Sequence, residues 1–174
     1  MKEIFRIFAE QNKAANTVII HILDAQSQET REQDRGSYYK SLSGLLHHVL
    51  GAELFFAGLF KEALVHNPQA SKAIAILTGI TPPTEATPDQ WKHCAASLAQ
   101  ADDAFISLIN ALCPDDFQVP VKMKLFGGNP DTVPLSFLLQ NLVLHNTHHR
   151  GQISQILDEL KIDNNYSGIS PEVL

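Results

Sequence analysis

Three of the chain's eight histidines, His145, His148 and His149, stand together in the stretch HNTHHR, residues 145–150. Histidines four apart on a helix point the same way from adjacent turns. His145 and His149 can therefore chelate one divalent ion, in the spacing that zinc-binding helices use. Two ligands do not complete a site, and the dipeptide His47-His48 offers a third from another part of the chain. Nothing else has the shape of a reactive site. There is no glycine-rich phosphate loop and no serine elbow, and the turn FGGN, residues 126–129, reads as hairpin chemistry. Cys94 and Cys113 match neither a zinc knuckle nor a CxxC redox pair, and both read as reduced, packed thiols.

Bringing distant histidines together takes helices, and the apolar periodicity predicts four long ones. The first runs from Lys2 to Gln26, with Ile4, Phe8, Ala15, Val18, Ile19 and Ile22 at helical spacing and no internal Gly or Pro. The polar stretch QETREQDRGS, residues 28–37, then reads as a connecting loop. A second helix is predicted from Ser37 to His66 on the stripe Leu42, Leu45, Leu46, Val49, Phe56, Phe60 and Leu64, with Asn67-Pro68 ending it. Its glycines, Gly44, Gly51 and Gly58, are seven apart and would admit a closely packed neighbouring helix. A short helical piece covers Gln69 to Leu77. Thr87, followed by Pro88 and Gln90, makes a capping-box start for a third helix reaching Leu112.

After Cys113-Pro114, residues 115–134 read as a long crossover with a short hairpin, and Asp131 or Thr132 caps a fourth helix running to Leu160 with Pro134 in its first turn. The tail after Leu160 is irregular. The fold class is thus all-α: a four-helix bundle with a long crossover connection, a scaffold that builds sites from side chains facing its core.

Composition agrees. The chain has 174 residues, is 44% hydrophobic and 18% charged, and suits one domain over residues 1–174 that buries its core without disulfides. A net charge of −6, with Lys and Arg never gathered into a stripe, argues against a nucleic-acid partner. The N-terminus lacks the apolar run of a signal peptide and no later stretch reads as long enough to span a bilayer, so a cytoplasmic location with no membrane partner is expected.

On the fourth helix Leu138, Leu142, Ile153, Ile156 and Leu160 fall within an arc of roughly 60° at about 100° per residue. His145 and His149 lie in or beside that arc, and His148 lies roughly 80° outside it. On the second helix His48 falls at the flank of the stripe, beside Ala52 and Leu59, while His47 sits nearly opposite it. His48 is the better third ligand. Lone histidines near an apolar face are usually hydrogen-bonded core residues, and His21, His66 and His93 are read so. Glu53 projects into the middle of the second helix's stripe, where a lone carboxylate is costly to bury. It could support the metal ligands, pair with Arg150, or reach solvent at the end of the bundle. Gln152 lies near the face of His145 and could hydrogen-bond a ligand histidine or a metal-bound water.

Two segments, LLHHVLGAE at residues 45–53 and HNTHHRGQISQIL at residues 145–157, resemble the DinB/YfiT-like family, whose HxxxHRGQ signature the second matches. The resemblance picks out His48, His145 and His149. It implies a four-helix bundle with a long crossover, a three-histidine site for nickel or zinc, and commonly a homodimer. Some members of this family are metal-dependent transferases or isomerases that use low-molecular-weight thiols such as bacillithiol or mycothiol as cosubstrates.

Two functions follow as expectations. In the first the chain is an enzyme acting on a small-molecule substrate: three protein ligands and an open position could lower the pKa of water for hydrolysis, or hold a thiol as thiolate for S-transfer in detoxification or stress response. In the second the metal only ties two helices together in a dimeric binding module, and a fourth protein ligand such as Glu53 would be its mark.

Overall fold

The structure is a computed structural model that describes residues 1–82, 87–124, 131–166 and 168. Among these the chain is all-α, with six helices and one small hairpin: α1 Lys2–Asp24, α2 Gln28–Glu32, α3 Leu42–Ala63, α4 Pro68–Ala75, α5 Pro88–Ala111, β1 Pro120–Met123, β2 Asp131–Pro134 and α6 Leu135–Glu159. The four long helices pack pairwise. α1 lies against α5 and α6, and α3 lies against α6 and α5.

Helix boundaries follow the caps. Thr87 accepts from the Gln90 amide to start α5, Asn67 accepts from Ala70 to start α4, and Ser41 accepts from Gly44 to start α3. α3 begins with the apolar stripe at Leu42, five residues after the expected start at Ser37, because Gly36 and Lys40 have φ of 74° and 64°, left-handed values that hold residues 36–41 in a turn. The stretch read as a loop from Gln28 contains α2. Ser27 caps it, and its Arg31 is buried over the Trp91 ring at 4.7 Å, so a helix without an apolar stripe is held by a cation–π contact.

α6 is not capped by Asp131 or Thr132. Both lie in β2, paired antiparallel with β1, and the amide of Leu135 donates to Val119 across the hairpin. The hairpin itself was expected; its FGGN turn lies outside the described residues. Nor do the three glycines of α3 admit a neighbouring helix. Gly51 and Gly58 face open space, and only Gly44 is approached, by the backbone of Tyr39.

Two apolar clusters form the core. One gathers Phe56, Phe60, Phe105, Leu108, Phe117 and Leu138; the other gathers Ile19, Leu45, Leu46, Trp91, Leu98 and Ile153. Between them, at one level along each long helix, the buried residues turn polar: Asn12 and Asn16 on α1, Glu53 on α3, Asp102 on α5, Asn146 and Arg150 on α6. α3 is long and apolar enough by composition to cross a membrane, against expectation, yet half of that stretch is buried inside the fold and its midpoint is the fully buried Glu53.

Candidate metal centre

α3 and α6 pack side by side, and the pairing brings His48 against His145 and His149. One ligand nitrogen from each ring can be chosen so that all three lie within 4.8 Å of one another. His48 Nε2 stands 2.9 Å from His145 Nε2, and the ring centroids of His145 and His149 are 4.4 Å apart. The i, i+4 spacing on α6 and the flank position on α3 therefore do what helical geometry requires of them.

The outward nitrogens are tied back. His149 Nδ1 is 2.7 Å from Gln152 Oε1, and His145 Nδ1 is 3.3 Å from Asn146 Oδ1. Carbonyl oxygens only accept, so with the two amides turned this way each Nδ1 is the donor and each Nε2 lone pair is left for the site. Burial holds His48 down to about 4, with further push from His149 and His145. Burial also lowers His145 and His149; Asn146 and Gln152 oppose it, and neighbouring imidazoles add to it. Shifts in this direction favour the neutral imidazole, the form that binds metal.

Tyr39 closes one side. Its ring stacks on His48 at 3.9 Å and meets His149 edge-on at 5.3 Å. On another side a cavity of about 290 Å³ opens beside His48 and His145, walled by Ala52, Phe55 and Phe56 and edged by Lys124 and Asn141.

The remaining histidines stay outside this group. His148 is exposed, touching only the edge of the cluster through its ring contact with His149 at 4.9 Å. His47 is half-buried rather than turned away from the fold, because α2 packs on its side of α3, and its Nε2 is sealed without a partner. His21, His66 and His93 are not core residues: all three are exposed, with His66 bonded to Asp116 at 2.7 Å and His93 near the Thr81 carbonyl. Of the two free cysteines Cys94 is buried and its thiol pushed up to about 12, but Cys113 is exposed rather than packed.

A family model described as DinB family matches residues 1–160. The chain belongs to the DinB family. Comparison with curated proteins and with solved structures finds no match. In this DinB chain Glu53 does not reach solvent and is no member of the histidine group. Its Oε1 accepts from Asn146 at 2.6 Å and from Asn12 at 3.2 Å, and burial, with Asp102 nearby, pushes it well above the usual carboxylate range.

The donor set suits a divalent ion of borderline softness: three neutral imidazoles from two rigid helices and, among the described residues, no fourth ligand. Two neighbours of the site, Tyr39 and Asn146, are absent from the sequence reading. Tyr39 sits in a turn with no periodicity to read. Asn146 did carry a signal, a polar residue four after Leu142 and seven before Ile153, which places it on the buried arc of α6.

Proposed function

We propose that this DinB protein is a metal-dependent enzyme that transfers a low-molecular-weight thiol to an electrophilic small molecule, with nickel or zinc held by His48, His145 and His149. One observation carries the reading: a three-imidazole cluster with no fourth ligand among the described residues opens onto a cavity of about 290 Å³. A site that serves only to join helices is closed by protein ligands, whereas catalysis keeps positions for exchange.

When bound, a divalent ion supplies Lewis acidity that keeps a thiol deprotonated at neutral pH, or activates water in the related hydrolase. The chain's residues do the rest. Phe55 and Phe56 form an apolar wall for the body of a substrate, Lys124 and Asn141 offer polar contacts at the rim, and Tyr39 shields His48 and His149 from water on the opposite flank. In S-transfer the thiol gives up its proton to solvent, a carbon–sulfur bond forms, and the leaving group departs with the electron pair of the broken bond, or an opened ring keeps that pair and takes up a proton.

Elemental analysis of untagged protein tests the first half. Near one equivalent of nickel or zinc is expected in the wild type and none in His48→Ala, His145→Ala or His149→Ala. Loaded protein incubated with bacillithiol or mycothiol and an electrophile should then consume thiol and form the conjugate. Full metal occupancy in His145→Ala removes the assignment, and metal without turnover leaves the site to the helix-tying role.

A further inference from the structure

A buried amide links the histidine cluster to the polar layer that crosses the core. Asn146 is fully buried and presents Oδ1 to His145 Nδ1. A free carboxamide can present either end, and with its nitrogen forward His145 would carry its proton on Nε2, the atom that faces His48. The surrounding bonds permit one orientation only. Asn146 Nδ2 donates to Glu53 Oε1 at 2.6 Å and to Asn12 Oδ1 at 3.2 Å. Asn12 is oriented in turn, because its Oδ1 receives Arg150 Nη1 and its Nδ2 donates to Asp102 Oδ1 at 2.7 Å. Arginine has only donors and the carboxylate of Asp102 accepts, so the polarity runs inward from those two groups to His145. Glu53 Oε1 accepts from both amides whether or not Oε2 is protonated.

We propose that Glu53 and Asn146 are positioning residues for His145, fixing the tautomer with the proton on Nδ1 and the Nε2 lone pair turned into the site. Its functional meaning rests on the metal reading above. Outer partners of this kind hold a ligand imidazole in place, and their loss weakens metal affinity by about 10–100-fold.

Imidazole ¹⁵N–¹H correlation spectra of the metal-free protein at pH 8 read the tautomer directly, and zinc titration reads the affinity. The wild type is expected to show the His145 proton on Nδ1. Asn146→Ala should move it wholly or partly to Nε2 and lose zinc affinity by about 10–100-fold. Glu53→Ala should shift it the same way to a smaller extent, because Asn12 still holds Asn146. Glu53→Gln keeps an acceptor at that position and should restore wild-type behaviour, a rescue that a merely space-filling role for Glu53 would not single out. An unchanged tautomer and affinity in Asn146→Ala overturn the proposal, and an unchanged tautomer in Glu53→Ala removes Glu53 from it. Should Asn146→Ala not fold, the two Glu53 variants make the comparison. Wild-type protein that takes up no zinc sinks the metal reading, while the tautomers still decide the positioning.

Discussion

Tyr39 reaches His48 because the backbone of its own turn lies against α3 with no room to spare. A Cβ on Gly44 would stand 2.0 Å from the Tyr39 carbonyl oxygen, so any side chain there must push the turn away. Gly44→Ala is expected to cost about 1–3 kcal/mol in chemical denaturation, as overpacking does. Gly58→Ala, which faces open space inside the same helix, should instead gain about 0.5–1 kcal/mol. A Gly44→Ala protein as stable as the wild type would mean that the turn yields freely. His48 adds a pH term at the same scale. Its folded value of about 4 lies below the ordinary 6.5, so neutral His48 contributes stability above the higher value that is lost as pH falls through the lower one. Relative to His48→Gln, the wild type should therefore lose stability between about pH 6.5 and pH 4 in urea titrations. A constant gap across that window would contradict the shift.

The helices were legible to the extent that their signals are local. His145 and His149 could be read because i, i+4 spacing and the apolar arc both lie within one segment, and Thr87 because a cap is a four-residue motif. Thr87→Ala should accordingly lower α5's contribution by about 1 kcal/mol, measured as a shift in the denaturation midpoint. No shift would mean that Pro88 alone sets the start of the helix. The start of α6 is not legible, for the opposite reason. Asp131 and Thr132 have cap chemistry, but pairing with a strand that begins eleven residues earlier claims them first. α2 carries no such local signal, because it is held by Arg31 over Trp91, sixty residues away, and by Glu32, which accepts from Ser43 on α3. The candidate site is legible in its ligands and in Gln152, which bonds His149 as its place on α6 suggests, and less so beyond them: Glu53 stands out on its own helix, but Asn12 and Asp102 are 41 and 90 residues removed from their partners and nothing near them in sequence marks them as buried.

Across the whole molecule, one guanidinium faces two buried carboxyls. Asp102 is raised to about 7 and Glu53 well above its usual range, chiefly by burial, with Arg150 pulling both down. Groups raised in this way favour the fold at low pH and lose that contribution as pH rises. Arg150→Met takes away the buried cation beside both of them and should cost about 3–5 kcal/mol at pH 8. The cost should shrink at pH 5.5, where both acids take up protons readily; an equal loss at the two values would show that packing, not charge, is what Arg150 supplies. The layer these groups form also has a meaning for how the chain selects its alignment. Apolar side chains tolerate exchange of one neighbour for another, so in a one-turn slip of α6 the leucines would still find hydrocarbon to bury against. The slip would also carry Asn146 and Arg150 off the level of Asn12, Glu53 and Asp102 and break the bonds among them. The polar level thus works as a key cut across four helices: it adds little to the correct assembly, and it makes every displaced one expensive.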